Sequence, residues 1–172
     1  MRRIICLAVA IAIIFGIAAC GASDTRTPTE SPNLYAILTI EGQSTQRIRA
    51  IQGVTNWFWN GGGYMSDSAH PLQLNQRNFD TATLSLHGAD GEIVLELSGN
   101  YPPTSIYARR WRAEYATGGQ PTDEMFDNWE PIEVDGTVMR INNNGEDYIY
   151  EISAIWPDTD SFATYALRVM HD

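Results

Sequence analysis

Apolar side chains recur at every second position along most of the chain after about residue 34. Near the C-terminus, one set of alternate positions holds Tyr148, Tyr150, Ile152, Ala154 and Trp156, and the other holds Ile149, Glu151, Ser153 and Ile155. A period of two is typical of β-strands, because successive side chains of a strand point to opposite faces. The pattern predicts strands over residues 34–40, 46–51, 54–59, 81–87, 92–98, 105–115, 132–141, 147–156 and 162–169.

Turn-forming residues separate these segments, and no segment after the first twenty residues sustains helical periodicity. Asp90-Gly91 favours a tight hairpin, and residues 142–145, with the sequence NNNG, form a second turn cluster. The predicted helix covers residues 122–129, where Thr122 suits the N-cap and two acids follow it. About nine short strands without repeats predict an all-β fold, an immunoglobulin-like β-sandwich, with a small barrel as the alternative.

The first twenty residues follow the order of an export signal. Arg2 and Arg3 precede an apolar run over residues 4–19, which ends in small residues directly before Cys20. An uncleaved transmembrane helix is one alternative, but at 1.5 Å per residue this run spans only about 24 Å. Ordinary secretion is the other, and it would leave Cys20 as a free thiol. The signal resembles a lipobox, which implies cleavage before Cys20 and a membrane anchor of two acyl chains on that cysteine.

This interpretation divides the chain into three parts. Residues 1–19 form the predicted signal peptide, residues 20–33 the lipidated cysteine and a flexible linker, and residues 34–172 the β-sandwich domain. The linker prediction depends on a lack of large apolar residues and a high content of Ser, Thr and Pro before residue 34. Cys6 and Cys20 are the two cysteines of the chain, so the domain itself has none. Disulfides, zinc-thiolate sites and thiol catalysis are therefore excluded in the domain.

The charge balance is strongly acidic. The chain has 11 basic residues, all arginine, and 21 acidic residues. Removal of the signal takes Arg2 and Arg3, which leaves 9 against 21, or a net charge of −12. Such an excess argues against nucleic acid as a partner and against a domain that lies flat on an anionic bilayer.

Aromatic residues around a glycine run are the candidate ligand-binding residues. Trp57, Trp59 and Tyr64 surround Gly61-Gly62-Gly63, and Trp111 lies in a predicted strand that also carries three arginines. Exposed rings at these positions would form a platform for sugar rings or a peptide. Core packing is the alternative interpretation of the same residues.

Other residue sets give weaker signals for chemistry. Asp67, His70 and His87 are too few for a metal prediction, since such a site needs three or four converging ligands with support around them. Acid pairs such as Glu146-Asp147 would serve glycoside hydrolysis only if two carboxyl groups faced each other across a cleft. Calcium at the acidic loops is a further alternative to ordinary polar turns. The sequence therefore predicts no catalytic residue, no metal site and no cofactor.

Two longer stretches support a resemblance. Residues 51–53 (IQG) lead to Trp57-Phe58-Trp59 and then to Asp67 and His70-Pro71-Leu72, and the C-terminal part reads YIYEISAIWP over 148–157 and ATYALRV over 163–169. Together they resemble a group of uncharacterised lipoproteins of Gram-positive bacteria. The resemblance implies a β-sandwich at the outer face of the cell membrane and carries over no catalytic residue.

The functional expectation is a membrane-anchored, extracytoplasmic protein whose domain is a non-catalytic binding or interaction module. Its membrane contact is the lipid on Cys20, and its partner is an envelope protein or polysaccharide. Two alternatives stay open: an envelope hydrolase that uses paired carboxylates, and a sandwich that inhibits proteases by presenting loops such as residues 100–104. The number of chains in the assembly is not predicted.

Overall fold

A computed structural model describes residues 28–40, 44–88, 90–142 and 144–171. The predicted signal peptide, Cys20 and the first part of the predicted linker lie outside the described residues. The described residues form twelve strands: β1 (Leu34–Thr39), β2 (Gln46–Arg49), β3 (Ile51–Trp59), β4 (Gly62–Ser66), β5 (Thr83–Leu86), β6 (Gly91–Leu97), β7 (Ser105–Arg112), β8 (Glu130–Ile132), β9 (Val134–Asp135), β10 (Val138–Ile141), β11 (Tyr148–Trp156) and β12 (Ser161–His171).

The strands form two sheets. The smaller sheet has the order β2-β1-β6-β10-β9, and the larger sheet has the order β4-β3-β12-β11-β7-β8. Neighbours on these paths are antiparallel, and β5 adds a parallel pairing to the C-terminal half of β12. Within them, β1-β6-β10-β9 and β8-β7-β11-β12 reproduce the immunoglobulin orders A-B-E-D and C′-C-F-G. The predicted all-β, immunoglobulin-like sandwich is confirmed.

A long insertion distinguishes this sandwich from the minimal immunoglobulin pattern. Between β1 and β6 the chain forms β2, which extends the smaller sheet, then the β3–β4 hairpin, which extends the larger sheet past β12. It then continues through two short 3₁₀ helices, Pro71–Gln73 and Gln76–Phe79, before β5. These helices lie against the outer face of the larger sheet, where Phe79 and Ala82 pack on Ile149 and Ala166.

The main core lies between the inner faces of the two sheets. Strands β11 and β12 contribute alternate, fully buried side chains such as Tyr150, Ile152 and Leu167, and β1 and β6 contribute the opposite layer. Because the side-chain period of a strand is two, the neighbouring residues Glu151, Ser153 and others face the outer side. The larger sheet is therefore covered on both faces, by a second sheet on one and by loops on the other.

The nine predicted strands are all present, with three differences beyond small shifts of their ends. The strand predicted over residues 105–115 ends at Arg112, and Ala113–Tyr115 form a 3₁₀ helix. The sequence predicts a single strand over residues 132–141, but a turn at Gly136, whose φ is 62°, separates β9 from β10, and β8 joins the other sheet. Strand β4 is not predicted, because Gly62 and Gly63 have low strand propensity. The predicted helix is confirmed as α1 (Asp123–Asp127), where the Thr122 hydroxyl accepts a bond from the Met125 amide.

The last residues of the predicted flexible linker are packed on the domain, which corrects that part of the prediction. The Pro28 carbonyl accepts a 2.8 Å bond from Trp57 Nε1, and the Pro32 carbonyl accepts a 2.6 Å bond from the Tyr165 hydroxyl. The Ser31 hydroxyl lies 2.8 Å from that of Tyr64. Buried Trp and Tyr side chains need a partner for their polar atom, and this segment supplies it.

Candidate binding site

Two of the four predicted platform residues are core residues. Trp57 and Trp111 are buried, and Trp59 and Tyr64 are half-buried. Trp57 faces the interior and packs edge-on against Trp156, with ring centroids 4.8 Å apart. Trp111 is on the outer face, but His70 and α1 cover it, and its Nε1 donates to the Phe126 carbonyl. The exposed platform predicted from Trp57, Trp59, Tyr64 and Trp111 is therefore wrong as a set.

A cleft of about 330 Å³ lies on the outer face of the larger sheet, between the sheet and residues 68–74. We call it the outer cleft. Its floor comes from β3, β7, β11 and β12, and includes Gly53, Arg109, Glu151 and Thr164. Its wall includes His70. A β-carbon on Gly53 would lie 2.4 Å from the Thr164 hydroxyl, so a side chain at this position would crowd the floor.

The floor of the outer cleft contains an ion pair. Glu151 on β11 and Arg109 on β7 are directly opposite in the antiparallel register. Arg109 Nε lies 2.9 Å from Glu151 Oε1, and Arg109 Nη2 lies 2.8 Å from the same oxygen. Glu151 is only 8% exposed. Because an isolated buried carboxylate is costly, the guanidinium both neutralises Glu151 and is held in place by it.

His70 lies in the wall of the outer cleft and is held there by hydrogen bonds. Its Nδ1 accepts a bond from the Leu72 amide and so caps the helix Pro71–Gln73, while the Gln73 side chain accepts a bond from the His70 amide. Burial and the nearby Arg109 charge lower the pKa of His70 to about 4, so the ring is neutral at pH 7. Since Nδ1 is an acceptor, the ring proton is on Nε2. The ring packs edge-on against Trp111 and Phe126.

Exposed aromatic side chains adjoin the ion pair. Tyr107, two residues before Arg109 on the same face of β7, is 60% exposed, and Trp129, just before β8, is 46% exposed. The Arg109 guanidinium carbon lies 5.9 Å from the centre of the Trp129 ring and 4.7 Å from that of Trp111. We call Tyr107, Arg109 and Trp129 the aromatic patch. The period-two pattern places Tyr107, Arg109 and Trp111 on one face, but Trp129 lies outside every predicted strand.

A second cavity, of about 530 Å³, holds the acid pair Glu146-Asp147. Both carboxylates bind arginine: Asp147 pairs with Arg168, and Glu146 Oε1 lies 3.1 Å from Arg112 Nη2. Asp147 also accepts a 3.0 Å bond from the His171 amide, and Glu146 accepts one from the Tyr148 hydroxyl. These contacts order the turn before β11 and give the acids a structural role.

The residues considered for metal binding do not converge. Asp67 and His87 are exposed, and His70 caps a helix. Within residues 28–40, 44–88, 90–142 and 144–171, no group of three or more His, Cys, Asp and Glu side chains could hold a metal ion. In the same part of the chain, no helix combines the length and apolar character needed to cross a bilayer.

Comparison of the chain with protein-family models, with curated proteins and with solved structures found no match in any of the three.

Proposed function

We propose that this chain is a lipid-anchored, extracytoplasmic protein whose β-sandwich binds a neutral polysaccharide of the cell envelope without catalysis. The observation that carries the proposal is the aromatic patch beside the outer cleft. There the exposed Trp129 ring lies 5.9 Å from a guanidinium that a buried carboxylate holds, and the exposed Tyr107 lies on the same face of β7 as Arg109. The anchor rests on the sequence before and at Cys20, where charge, apolar run and small residues stand in the order of a lipoprotein signal.

Sugar chemistry fits this surface in two respects. The C–H face of a pyranose ring is apolar and packs on the negative face of an aromatic ring, which Tyr107 and Trp129 provide. The Arg109 guanidinium donates several hydrogen bonds in a fixed geometry, and a cleft that combines apolar walls with few oriented polar groups suits recognition of ring hydroxyls. The net charge of the chain disfavours an anionic polymer as the ligand.

The absence of catalysis is supported by the carboxylates. Glycoside hydrolysis generally uses two carboxyl groups about 5–9.5 Å apart around the scissile bond. Among the described residues that line the outer cleft, Glu151 is the one carboxylate. Its Oε1 accepts a hydrogen bond from Arg109 Nε and lies 2.8 Å from Arg109 Nη2, an arrangement suited to positioning a guanidinium rather than to transferring a proton.

Co-sedimentation tests the binding proposal. The detergent-solubilised full chain is mixed with insoluble cell-wall sacculi stripped of their anionic polymers, and the bound fraction is measured. We expect the wild type to sediment and the Tyr107→Ser/Trp129→Ser variant to bind at least about tenfold more weakly, since each lost ring contact contributes on the order of 1 kcal/mol. Phe58→Ser, which removes an exposed ring elsewhere, is the matched control and should bind like the wild type.

Two results would overturn the proposal. A wild-type protein that stays in the supernatant at every sacculus concentration excludes polysaccharide binding, and equal binding by the double variant excludes the aromatic patch. Release of soluble sugar fragments during the incubation would instead support the hydrolase alternative. The anchor is tested separately by incorporation of labelled palmitate in cells, which we expect to disappear in Cys20→Ala.

A further inference from the structure

The β3–β4 hairpin lies in the longest uncharged segment of the described residues. Residues 50–66 contain no Asp, Glu, Lys, Arg or His, although the chain has 21 acidic and 11 basic residues. The segment begins after Arg49 and ends before Asp67. It includes the whole of β3 and β4 and forms one end of the larger sheet, because β4 pairs only with β3 on the described sheet path.

The hairpin also exposes large apolar side chains. Met65 is 79% exposed and Phe58 is 38% exposed. The register pairs Phe58 with Gly63 and Asn56 with Met65, so Phe58 and Met65 lie on the same, outer face of the hairpin. The Phe58 ring lies over Gly63, where an added β-carbon would be 2.3 Å from Phe58 Cδ1. Proteins commonly protect an edge strand with charges or proline, and neither occurs in β4.

The first described residues of the chain contact this hairpin. Pro28 accepts the bond from Trp57 of β3, and Ser31 contacts Tyr64 of β4. Pro28 follows Cys20 by eight residues, so the intervening chain at full extension spans at most about 28 Å. A lipid on Cys20 would therefore hold the β3–β4 hairpin close to the bilayer, whatever path the intervening residues take.

We propose that the β3–β4 hairpin is a second membrane contact, in which Phe58 and Met65 insert into the interface of the bilayer that holds the Cys20 lipid. This inference rests on the lipid anchor of the proposed function. Charge selects this side of the domain, because acidic surfaces are repelled by anionic lipids and the uncharged hairpin is not. Aromatic side chains are enriched at membrane interfaces, and Phe58 is the exposed ring on the outer face of this hairpin.

Depth-dependent quenching tests the inference. Met65→Cys is introduced into the lipidated full chain, labelled with a fluorophore and reconstituted into phosphatidylcholine vesicles that contain phosphatidylglycerol and a headgroup-level spin-labelled lipid. We expect quenching at least about threefold stronger than for a label at Val94→Cys, since interfacial side chains lie at headgroup depth. Val94 is the matched control because it is also exposed on a strand, but it lies on the smaller sheet.

The outcomes separate this inference from the anchor. If the protein floats with the vesicles but the Met65 and Val94 labels are quenched equally, the anchor stands and the hairpin contact is overturned. If the protein does not float, both are overturned. Self-quenching between Met65 labels without quenching by lipid would show that β4 contacts a second copy of the chain instead of the bilayer. That result would also overturn the inference. Phe58→Ser should reduce the Met65 quenching, and Phe58→Leu should preserve most of it.

Discussion

The two faces of the larger sheet are both buried, but different kinds of structure cover them. On the inner face, Tyr150 and Ile152 of β11 are buried against the smaller sheet. On the outer face, Ile149 and Glu151 are buried as well, but under a segment of 3₁₀ helices and loops. The smaller sheet packs closely against the inner face. The irregular segment on the outer face packs less closely and leaves the outer cleft. Burial under loops is therefore compatible with a charged site, and burial under a sheet gives an apolar core.

The largest effect is expected from a cavity on the inner face. Leu167→Ala removes a fully buried side chain of β12 between the two sheets, and such substitutions cost about 3–5 kcal/mol because the surroundings close the cavity only partly. Urea denaturation measures the free energy of unfolding. Val94→Ala, on the exposed side of β6, should cost less than about 1 kcal/mol. Equal losses would contradict the comparison of a close-packed inner face with a tolerant exterior.

On the outer face, we expect stability to be lost through an unpaired buried charge rather than through a cavity. Arg109→Met leaves Glu151 buried without its cation, and we expect a loss of about 2–3 kcal/mol, below the value for fully buried pairs because Arg109 is partly exposed. Adding Glu151→Gln should recover part of this loss. Arg47→Met breaks the exposed Arg47–Glu96 pair and should cost less than about 1 kcal/mol. No recovery in the double variant would show that Arg109 acts through packing alone.

The smallest effect is a pH dependence carried by His70. Its pKa is about 4 in the folded protein, against 6.5 for an unperturbed histidine, so the unfolded chain binds more protons between these values. Stability should therefore fall as the pH falls from about 6.5 to 4, by about 1–2 kcal/mol after allowance for solvent screening. His70→Asn keeps a side-chain acceptor at the helix N-cap and cannot titrate. The wild type should lose its advantage in unfolding free energy over His70→Asn as the pH falls below 7. Above pH 7 the difference between the two should be constant.

The strands could be predicted well from the sequence because their signal is local. Alternation in residues 147–156 and 162–169 is enough to place β11 and β12, and Thr122 with the following acids is enough to place α1. Strand β4 gives no such signal, since Gly62-Gly63 contributes no side chains to an alternating pattern. The pairing of β3 with β12 is set by contacts between distant residues, so the position of the insertion in the sheets could not be predicted from either segment alone.

The site could be predicted less well than the fold. Trp57 and Trp111 have the right chemistry for a binding platform, but whether an aromatic side chain is exposed depends on what covers it. The main core covers Trp57, and His70 and α1 cover Trp111. Arg109 and Glu151 are far apart in sequence, and only the β7–β11 register places them opposite each other. Trp129 is the last residue of the predicted helix but lies beyond the end of α1, so its exposure could be known only from the structure.

The contacts of residues 28–33 have a mechanical consequence. Pro28, Ser31 and Pro32 are fastened by side chains of the larger sheet, whereas the next residues enter β1 of the smaller sheet. A pulling force applied from the N-terminal side would break these few hydrogen bonds one after another. Only then would it act on the backbone hydrogen bonds that pair β1 with β2 and β6. Once released, the segment from Pro28 to Asn33 could extend to a total length of at most about 20 Å while the sandwich stays intact. Under force we therefore expect this segment to detach before the two sheets separate.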